Sequence, residues 1–135
     1  KMKQIIIVFL VMVTFAQAEI FLRKHNNLYC YDGDTCYVTI DGKNEKVRLL
    51  ELDTPEISKP KCDAELELGL KARDFVNDLI KNAETIEFKT DYELDYFGRI
   101  LSYLIIDGDD VSTLLVQNGL GVVYKKGQKM DWCND

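Results

Sequence analysis

The sequence has 135 residues, which is enough for one domain around a single core. It contains 17 Lys and Arg against 23 Asp and Glu, a formal net charge of -6. Non-specific nucleic-acid binding depends on a positive field that displaces counterions, so this charge argues against a simple nucleic-acid coat protein. An enzyme that carries a divalent cation and a local basic patch is compatible with it.

The first eighteen residues have the order of a secretory signal peptide. Lys1 and Lys3 precede an unbroken apolar run at residues 5–13, and Ala16-Gln17-Ala18 has the small-x-small form of a cleavage site. The run is short for a bilayer core of about 30 Å, and an uncleaved N-terminal membrane anchor is the alternative. The sequence therefore predicts a leader at residues 1–18 and one domain at residues 19–135.

Export affects both the charge and the location of the mature chain. Without Lys1 and Lys3, the chain keeps 15 basic and 23 acidic residues, a net charge near -8. We expect it to be secreted or periplasmic, with no stable membrane association after the leader is cleaved. No feature of the sequence demands an oligomer, so we expect a monomer.

Beyond the leader, apolar and β-branched stretches alternate with turn signals such as Asp32-Gly33 and Asp41-Gly42. Five stretches are predicted to be strands, at residues 20–30, 36–40, 47–52, 85–90 and 100–106. Two helices are predicted, a long one over residues 63–82 with Asp63 as its N-cap and a short one over residues 110–118. This order predicts an α+β fold, a five-stranded β-barrel of the OB type with two packed helices.

Four cysteines, Cys30, Cys36, Cys62 and Cys133, fit an oxidising destination. They lack paired C-x-x-C spacing, and the chain has one histidine, His25, which argues against a Cys/His zinc site. Two disulfides could form in three connectivities, and four reduced cysteines are the alternative. We expect Cys30–Cys36 across a tight turn, and Cys62–Cys133 between the C-terminal tail and the loop before the long helix.

The absence of familiar nucleophile motifs narrows the possible chemistry. The sequence has no G-x-S-x-G, no Walker loop and no H-E-x-x-H, and one histidine cannot supply a two-histidine mechanism. Acid–base work would therefore fall to carboxylates, tyrosines or lysines.

Carboxylates cluster in two short, turn-rich segments, Asp32-Gly33-Asp34-Thr35 and Asp53-Thr54-Pro55-Glu56. Hard oxygen ligands of this kind suit calcium better than zinc. Taken singly, each segment is more typical of an ordinary turn than of a metal site.

Two arginines make a phosphate site possible. If Arg48 and Arg99 converge on a carboxylate-bound cation, their guanidinium groups can hold the oxygens of a phosphodiester. Strand alternation alone places Arg48 and Asp53 on opposite faces, so the two converge only if the strand ends or bulges before Asp53.

These segments carry a resemblance to the staphylococcal nuclease (thermonuclease) family, from roughly residue 20 to residue 124. The matching pieces are Asp32-Gly33-Asp34-Thr35, Arg48-Leu49-Leu50-Glu51-Leu52-Asp53-Thr54-Pro55-Glu56, Asp95-Tyr96-Phe97-Gly98-Arg99 and Gln117-Asn118-Gly119-Leu120. Together, in this order and at family-like separations, they are highly specific.

The resemblance implies an OB-fold barrel that binds Ca2+. The ligands would be Asp34, Asp53 and the backbone carbonyl of Thr54, with Asp32 just beyond them.

The resemblance also implies a nuclease reaction. Arg48 and Arg99 would bind the phosphate, and Glu56 would assist the attacking water. The substrates would be DNA and RNA, and the products would carry 3′-phosphate and 5′-hydroxyl ends.

The sequence departs from the family pattern around the substrate. Phe97 lacks the hydroxyl of a phosphate-contacting tyrosine, for which Tyr96 is the expected substitute, and Tyr124 is the candidate for nucleotide stacking. No long basic helix follows Tyr124, so we expect weaker and more salt-sensitive binding. A local positive rim is expected instead, and its candidates are Lys59, Lys61, Lys125, Lys126 and Lys129.

Two other functions use the same residues differently. A non-catalytic OB-fold module would bind nucleic acid or protein without cutting. A structural calcium-binding protein would be stabilised by the ion, and its arginines would have no role in catalysis.

Overall fold

The computed structural model describes residues 18–22 and 26–134. The predicted leader, apart from its last residue, and His25 lie outside the described residues. The strands are β1 (Ala18–Leu22), β2 (Tyr29–Cys30), β3 (Thr35–Ile40), β4 (Lys43–Leu49), β5 (Ile86–Thr90), β6 (Ile100–Ile106) and β7 (Asp109–Asp110). The helices are α1 (Asp63–Asn82) and α2 (Val111–Gln117).

The strands form one sheet in the order β1-β5-β6-β4-β3-β2, and β7 pairs with β6. Within the described part of the chain, β4 pairs with β6 in parallel and the other strand pairings are antiparallel. Five strands have five to seven residues, whereas β2 and β7 have two each. The predicted α+β fold of the OB type, with five principal strands and two helices, is confirmed.

The predicted single strand over residues 20–30 is wrong. Its first part, β1, pairs with β5 at one end of the sheet, and its last part, β2, pairs with β3 at the other end. Asn27 lies between them with φ of 50°, in the left-handed region that a continuous strand does not enter. Asparagine tolerates this region better than most residues, so the break is encoded locally.

Helix α1 has the predicted bounds, but its N-cap is Cys62 and not Asp63. The sulfur of Cys62 accepts a hydrogen bond of 3.4 Å from the amide of Glu65, and Asp63 is the first helical residue. Asp63 and Glu65 lie in the first turn, where the helix dipole favours an acid.

The core lies between the inward faces of the strands and the two helices. Phe88 of β5 and Leu104 of β6 are direct partners across the sheet and are almost completely buried. Val76 of α1 and Leu115 of α2 are also fully buried in this cluster. Full burial of each such side chain stabilises the fold by about 1.5–3 kcal/mol.

Strands β3 and β4 divide their residues between the core and an accessible face. Their buried residues are Cys36, Val38, Val47 and Leu49. The alternate residues, Thr35, Tyr37, Lys46 and Arg48, remain accessible on the other face. This face is one wall of the groove described below.

Both predicted disulfides are present. Cys30–Cys36 joins directly opposite residues of β2 and β3, and Cys62–Cys133 ties the start of α1 to the C-terminal tail, 71 residues further along. Among residues 18–22 and 26–134, no helix combines the length and the apolar character needed to cross a membrane.

Candidate active site

A groove of about 1100 Å³ runs along the accessible face of β3 and β4. It is lined by most of the residues that the sequence singles out, namely Asp32, Asp34, Arg48, Asp53, Glu56, Tyr96, Arg99 and Tyr124. Thr54 lines a smaller adjoining pocket of about 270 Å³. The structure therefore brings the three motif segments together at one site.

Asp32 shapes the turn between β2 and β3. Its Oδ1 accepts hydrogen bonds from the amides of Asp34 at 3.1 Å and Thr35 at 2.9 Å. Gly33 packs against Thr54 so closely that a Cβ there would lie 2.7 Å from the Thr54 methyl group. The glycine of the Asp-Gly-Asp motif thus lets the two carboxylate segments touch.

Asp34 connects three parts of the site. Its Oδ2 accepts a hydrogen bond of 3.1 Å from the amide of Thr54 and lies 3.4 Å from Nη2 of Arg48. Its Oδ1 accepts a hydrogen bond of 3.1 Å from the hydroxyl of Thr35. The side chain is only 8% exposed, so these contacts fix its position.

Arg48 and Asp53 share the groove because the strand ends between them. Strand β4 stops at Leu49, whereas the sequence predicted a strand to residue 52, and Glu51 has φ of 58°. Beyond that turn, Asp53 exchanges two backbone hydrogen bonds of 2.9 Å with Val122. The strand therefore ends before Asp53, which is the condition under which Arg48 and Asp53 can converge.

The buried carboxylates disfavour one another's ionisation. Burial, followed by the charge of Asp34, raises the pKa of Asp32 to about 7. Burial also raises the pKa of Asp53, with a further contribution from Asp34. A bound hard cation would stabilise such a set of oxygen atoms in its ionised form.

Thr54 adds an oxygen atom to this group of buried carboxylates. Its hydroxyl oxygen is buried and has no hydrogen-bond partner within the described ranges. Among residues 18–22 and 26–134, no three His, Cys, Asp or Glu side chains are arranged as a metal cage. Backbone oxygen and water would therefore have to complete the coordination of a cation at Asp34 and Asp53.

Arg99 reaches the same turn from the β5–β6 connection. Its Nε lies 2.7 Å from Oδ2 of Asp95, and its Nη1 donates a hydrogen bond of 3.3 Å to the hydroxyl of Thr35. Arg48 and Arg99 therefore approach the Asp34-Thr35 dipeptide from two sides. Neither Asp95 nor Thr35 was predicted to have a role in the site, although the Asp-x-x-x-Arg spacing was available as a signal.

Glu56 contacts the C-terminal tail. Its Oε1 lies 3.2 Å from Nζ of Lys129, and this contact raises the pKa of Lys129. The amide of Met130 donates a hydrogen bond of 3.4 Å to Oδ2 of Asp53. Lys129 was expected only as part of a basic rim, and its contact with Glu56 has no signal in the local sequence.

The aromatic candidates lie on the walls of the groove. Tyr96 is 96% exposed, and its ring lies edge-on to that of Phe97, 5.4 Å between centroids. The guanidinium carbon of Arg99 lies 5.4 Å from the Phe97 ring, and that of Arg48 lies 6.0 Å from the Tyr124 ring. Tyr124 therefore lies near the proposed phosphate site, whereas Tyr96 is almost fully open to solvent.

The candidate rim lysines are divided between the two cavities. Lys59 and Lys61 line the smaller pocket, Lys126 lines the groove, and Lys129 lines both. Lys125 lines neither cavity.

Comparison with known proteins finds a matching family model and several similar proteins. Residues 46–133 match the family model described as staphylococcal nuclease homologue. Endonuclease YncB of Bacillus subtilis is 36% identical over 93 residues, which cover 68% of this chain and 44% of that protein. The thermonuclease of Staphylococcus hyicus is 33% identical over 89 residues, which cover 66% of this chain and 52% of that protein.

A second protein of Bacillus subtilis, the SPbeta prophage-derived endonuclease YokF, is 36% identical over 93 residues. The match covers 68% of this chain and 31% of that protein. The chain thus spans about half or less of the length of these relatives.

Proposed function

Because the chain belongs to the family of staphylococcal nuclease homologues, we propose that it is a calcium-dependent nuclease. It hydrolyses phosphodiester bonds in DNA and RNA and leaves 3′-phosphate and 5′-hydroxyl ends. One observation carries the proposal: three carboxylates and two guanidinium groups, from three separate segments, line one groove. These are Asp34, Asp53, Glu56, Arg48 and Arg99.

The cation site in this proposal consists of Asp34, Asp53 and the carbonyl oxygen of Thr54, with Asp32 behind them. It is supported by the raised pKa of Asp53 and by the tight packing of the two carboxylate segments. When bound, calcium would supply positive charge beside the phosphate oxygens and would order a water molecule.

Arg48 and Arg99 bind the non-bridging oxygens of the scissile phosphate. Each guanidinium has several donors in a planar fork, which matches the geometry of a phosphate. Their contacts with the adjacent residues Asp34 and Thr35 support a shared phosphate position for the two forks. The arginines also stabilise the charge that increases on these oxygens in the transition state.

Glu56 accepts or orients the proton of the attacking water. Its side chain is 40% exposed, so water can reach it from the groove. One of its oxygens lies 3.2 Å from Nζ of Lys129, and this ion pair favours the ionised carboxylate. None of the described residues that line the groove is a histidine, so a carboxylate in this position is a suitable group for proton transfer.

The disulfides support the location that we propose for the protein. Two disulfides support export to an oxidising compartment, either the periplasm or the medium, and the enzyme acts there as a monomer. Cleavage after Ala18 would produce a mature chain that begins at Glu19, and N-terminal sequencing of the exported protein tests this.

The decisive experiment incubates the oxidised protein with plasmid DNA and with RNA, in calcium, in magnesium alone and in chelator. We expect cleavage of both substrates in calcium and loss of cleavage in chelator. End-group analysis should find 3′-phosphates that block extension by a polymerase until a phosphatase removes them. Undiminished cleavage in chelator would contradict the metal assignment, and binding without cleavage would favour the non-catalytic module.

A further inference from the structure

We propose that the backbone amide of Met130 is a positioning group for the cation site and that the Cys62–Cys133 disulfide holds it there. The proposal rests on the calcium site of the proposed function. It gives the C-terminal tail, residues 122–133, a role in that site. The tail would supply no ligand of its own, because Met130 acts on the cation only through Asp53.

Two limbs of the tail contact Asp53. The backbone amide and carbonyl of Asp53 exchange hydrogen bonds of 2.9 Å with Val122 on the first limb. Its side-chain Oδ2 accepts a hydrogen bond of 3.4 Å from the amide of Met130 on the second limb. A turn joins the limbs, and in it the amide of Gln128 donates to the carbonyl of Lys125 at 3.0 Å. The tail therefore contacts the backbone of Asp53 before this turn and its carboxylate after it.

The carboxylate of Asp53 depends on the tail, whereas that of Asp34 does not. Asp34 is held by three groups described above, and none of them belongs to the tail. Within the described residues, the hydrogen bond that the carboxylate of Asp53 accepts comes from the amide of Met130. Without the second limb, the carboxylate of Asp34 would keep its place and that of Asp53 would lose its donor.

The Met130 amide leaves room for a cation on the same carboxylate. A carboxylate has two oxygens with about four lone-pair sites, and one backbone amide uses one of them. In metal sites the ligand carboxylates are themselves hydrogen-bonded, and loss of such a partner typically reduces metal affinity by about 10- to 100-fold. The tail therefore supports the cation site and does not compete with the cation for it.

The disulfide holds the second limb in this position. Cys133 follows Met130 by three residues and is bonded to Cys62, the N-cap of α1. Between them, Trp132 is partly buried and lines the smaller pocket together with Met130 and Asp53. Because the tail is attached at both ends, the amide stays close to the carboxylate at a low cost in chain entropy.

The first experiment measures calcium binding by isothermal titration calorimetry, well below the melting temperature and without nucleic acid. The Cys62→Ser/Cys133→Ser variant should bind calcium about 10-fold more weakly than the wild-type protein. Near-ultraviolet circular dichroism verifies that the variant is folded, since Trp132 is the single tryptophan. Equal or tighter binding by the folded variant would overturn the proposal, and tighter binding would mean that the tail competes with the cation.

Met130→Pro tests the amide directly and keeps both disulfides. Proline has no N–H, so the carboxylate of Asp53 loses its donor and calcium affinity should fall about 10-fold. Met130→Ala is the conservative variant that retains the amide, and it should retain the calcium affinity. Unchanged affinity in a folded Met130→Pro, or an equal loss in both variants, would overturn the role of the amide.

Cleavage by Met130→Pro distinguishes a positioning role from a general defect of the fold. The calcium concentration for half-maximal cleavage should rise about 10-fold, whereas kcat at saturating calcium should stay near the wild-type value. A loss of kcat that no calcium concentration restores would contradict an action through calcium affinity.

The calorimetry also separates this inference from the proposed function. Wild-type protein that binds calcium and cleaves, with variants that bind calcium equally well, would reject the role of the tail alone. Wild-type protein that binds no calcium would reject the calcium site of the proposed function and this inference with it.

Discussion

The guanidinium of Arg99 is held by Asp95, with Nε of the arginine 2.7 Å from Oδ2 of the carboxylate. The backbone amide of Arg99 donates to the other oxygen of Asp95 at 2.9 Å, and so does the amide of Phe97. One carboxylate therefore organises both the loop and the side chain that the loop presents to the groove. Asp95 is therefore a positioning residue for the proposed phosphate site.

Replacement of Asp95 should misplace Arg99. We expect Asp95→Asn to reduce kcat/KM on DNA by about 10- to 100-fold, since loss of orientation of a charged ligand group costs roughly 1–3 kcal/mol. Asp91→Asn is the control, because the hydrogen bond that Asp91 accepts within the described residues is a local one, from the amide of Glu93. An equal loss of activity in the two variants would mean that the loop as a whole, and not the ion pair, is responsible.

The same ion pair predicts a pH dependence of stability. Burial alone would raise the pKa of Asp95, but hydrogen bonds from the Arg99 amide and side chain, and the charge of Arg99, lower it below 3.8. A depressed pKa contributes stability above the unfolded-state value and loses it as the pH falls through the folded-state value. The difference in unfolding free energy between wild type and Asp95→Asn should therefore be constant from pH 5 to 7 and should shrink below about pH 4. Denaturant titrations across this range would measure it, and a difference that grows in acid would contradict the assignment.

Glu56 and Arg99 should matter for activity far more than for folding. Glu56→Gln and Arg99→Ala should each lower activity by orders of magnitude, while the free energy of unfolding changes by no more than about 1–2 kcal/mol. Single-turnover kinetics and thermal denaturation of the same preparations provide the two readouts. Parallel collapse of folding and activity would show that these residues are structural.

The Cys62–Cys133 disulfide should stabilise the fold more than Cys30–Cys36 does. The first closes a loop with a sequence separation of 71 and the second one of 6. Chain entropy predicts losses of about 4 and about 2 kcal/mol when each is removed. Serine pairs are suitable replacements, because Cys62→Ser supplies a hydroxyl oxygen that can cap α1 in place of the sulfur. Equal losses in equilibrium unfolding would indicate that the unfolded chain is already compact.

Local sequence signals were sufficient where the structure depends on neighbours along the chain. The apolar spacing of three and four residues gave the bounds of α1, which has 20 residues, and the Asp-Gly pairs marked the turns. The same reasoning missed the break at Asn27, because an apolar run on each side of it suggested a continuous strand. The sequence signal for that break was the asparagine itself, because this residue type tolerates the left-handed conformation that Asn27 adopts.

Contacts between distant segments could not be predicted from local pattern. Lys129 and Glu56 are 73 residues apart in sequence, and Thr35 and Arg99 are 64 apart. Their pairing depends on where the tail and the β5–β6 connection pack. The sequence predicted only part of the arrangement of the two carboxylate segments. Their contact also depends on the close approach of Gly33 to Thr54.

The C-terminal tail is attached at two places to the segment that runs from Asp53 to the start of α1. Asp53 bridges to Val122 on one side, and Cys62 is bonded to Cys133 on the other, while residues 125–129 between them are exposed. A protease that nicked the chain after Lys125 or Lys126 would therefore release neither fragment. Lys129 would stay linked to the molecule through Cys133, and a digested sample could keep its catalytic groups assembled.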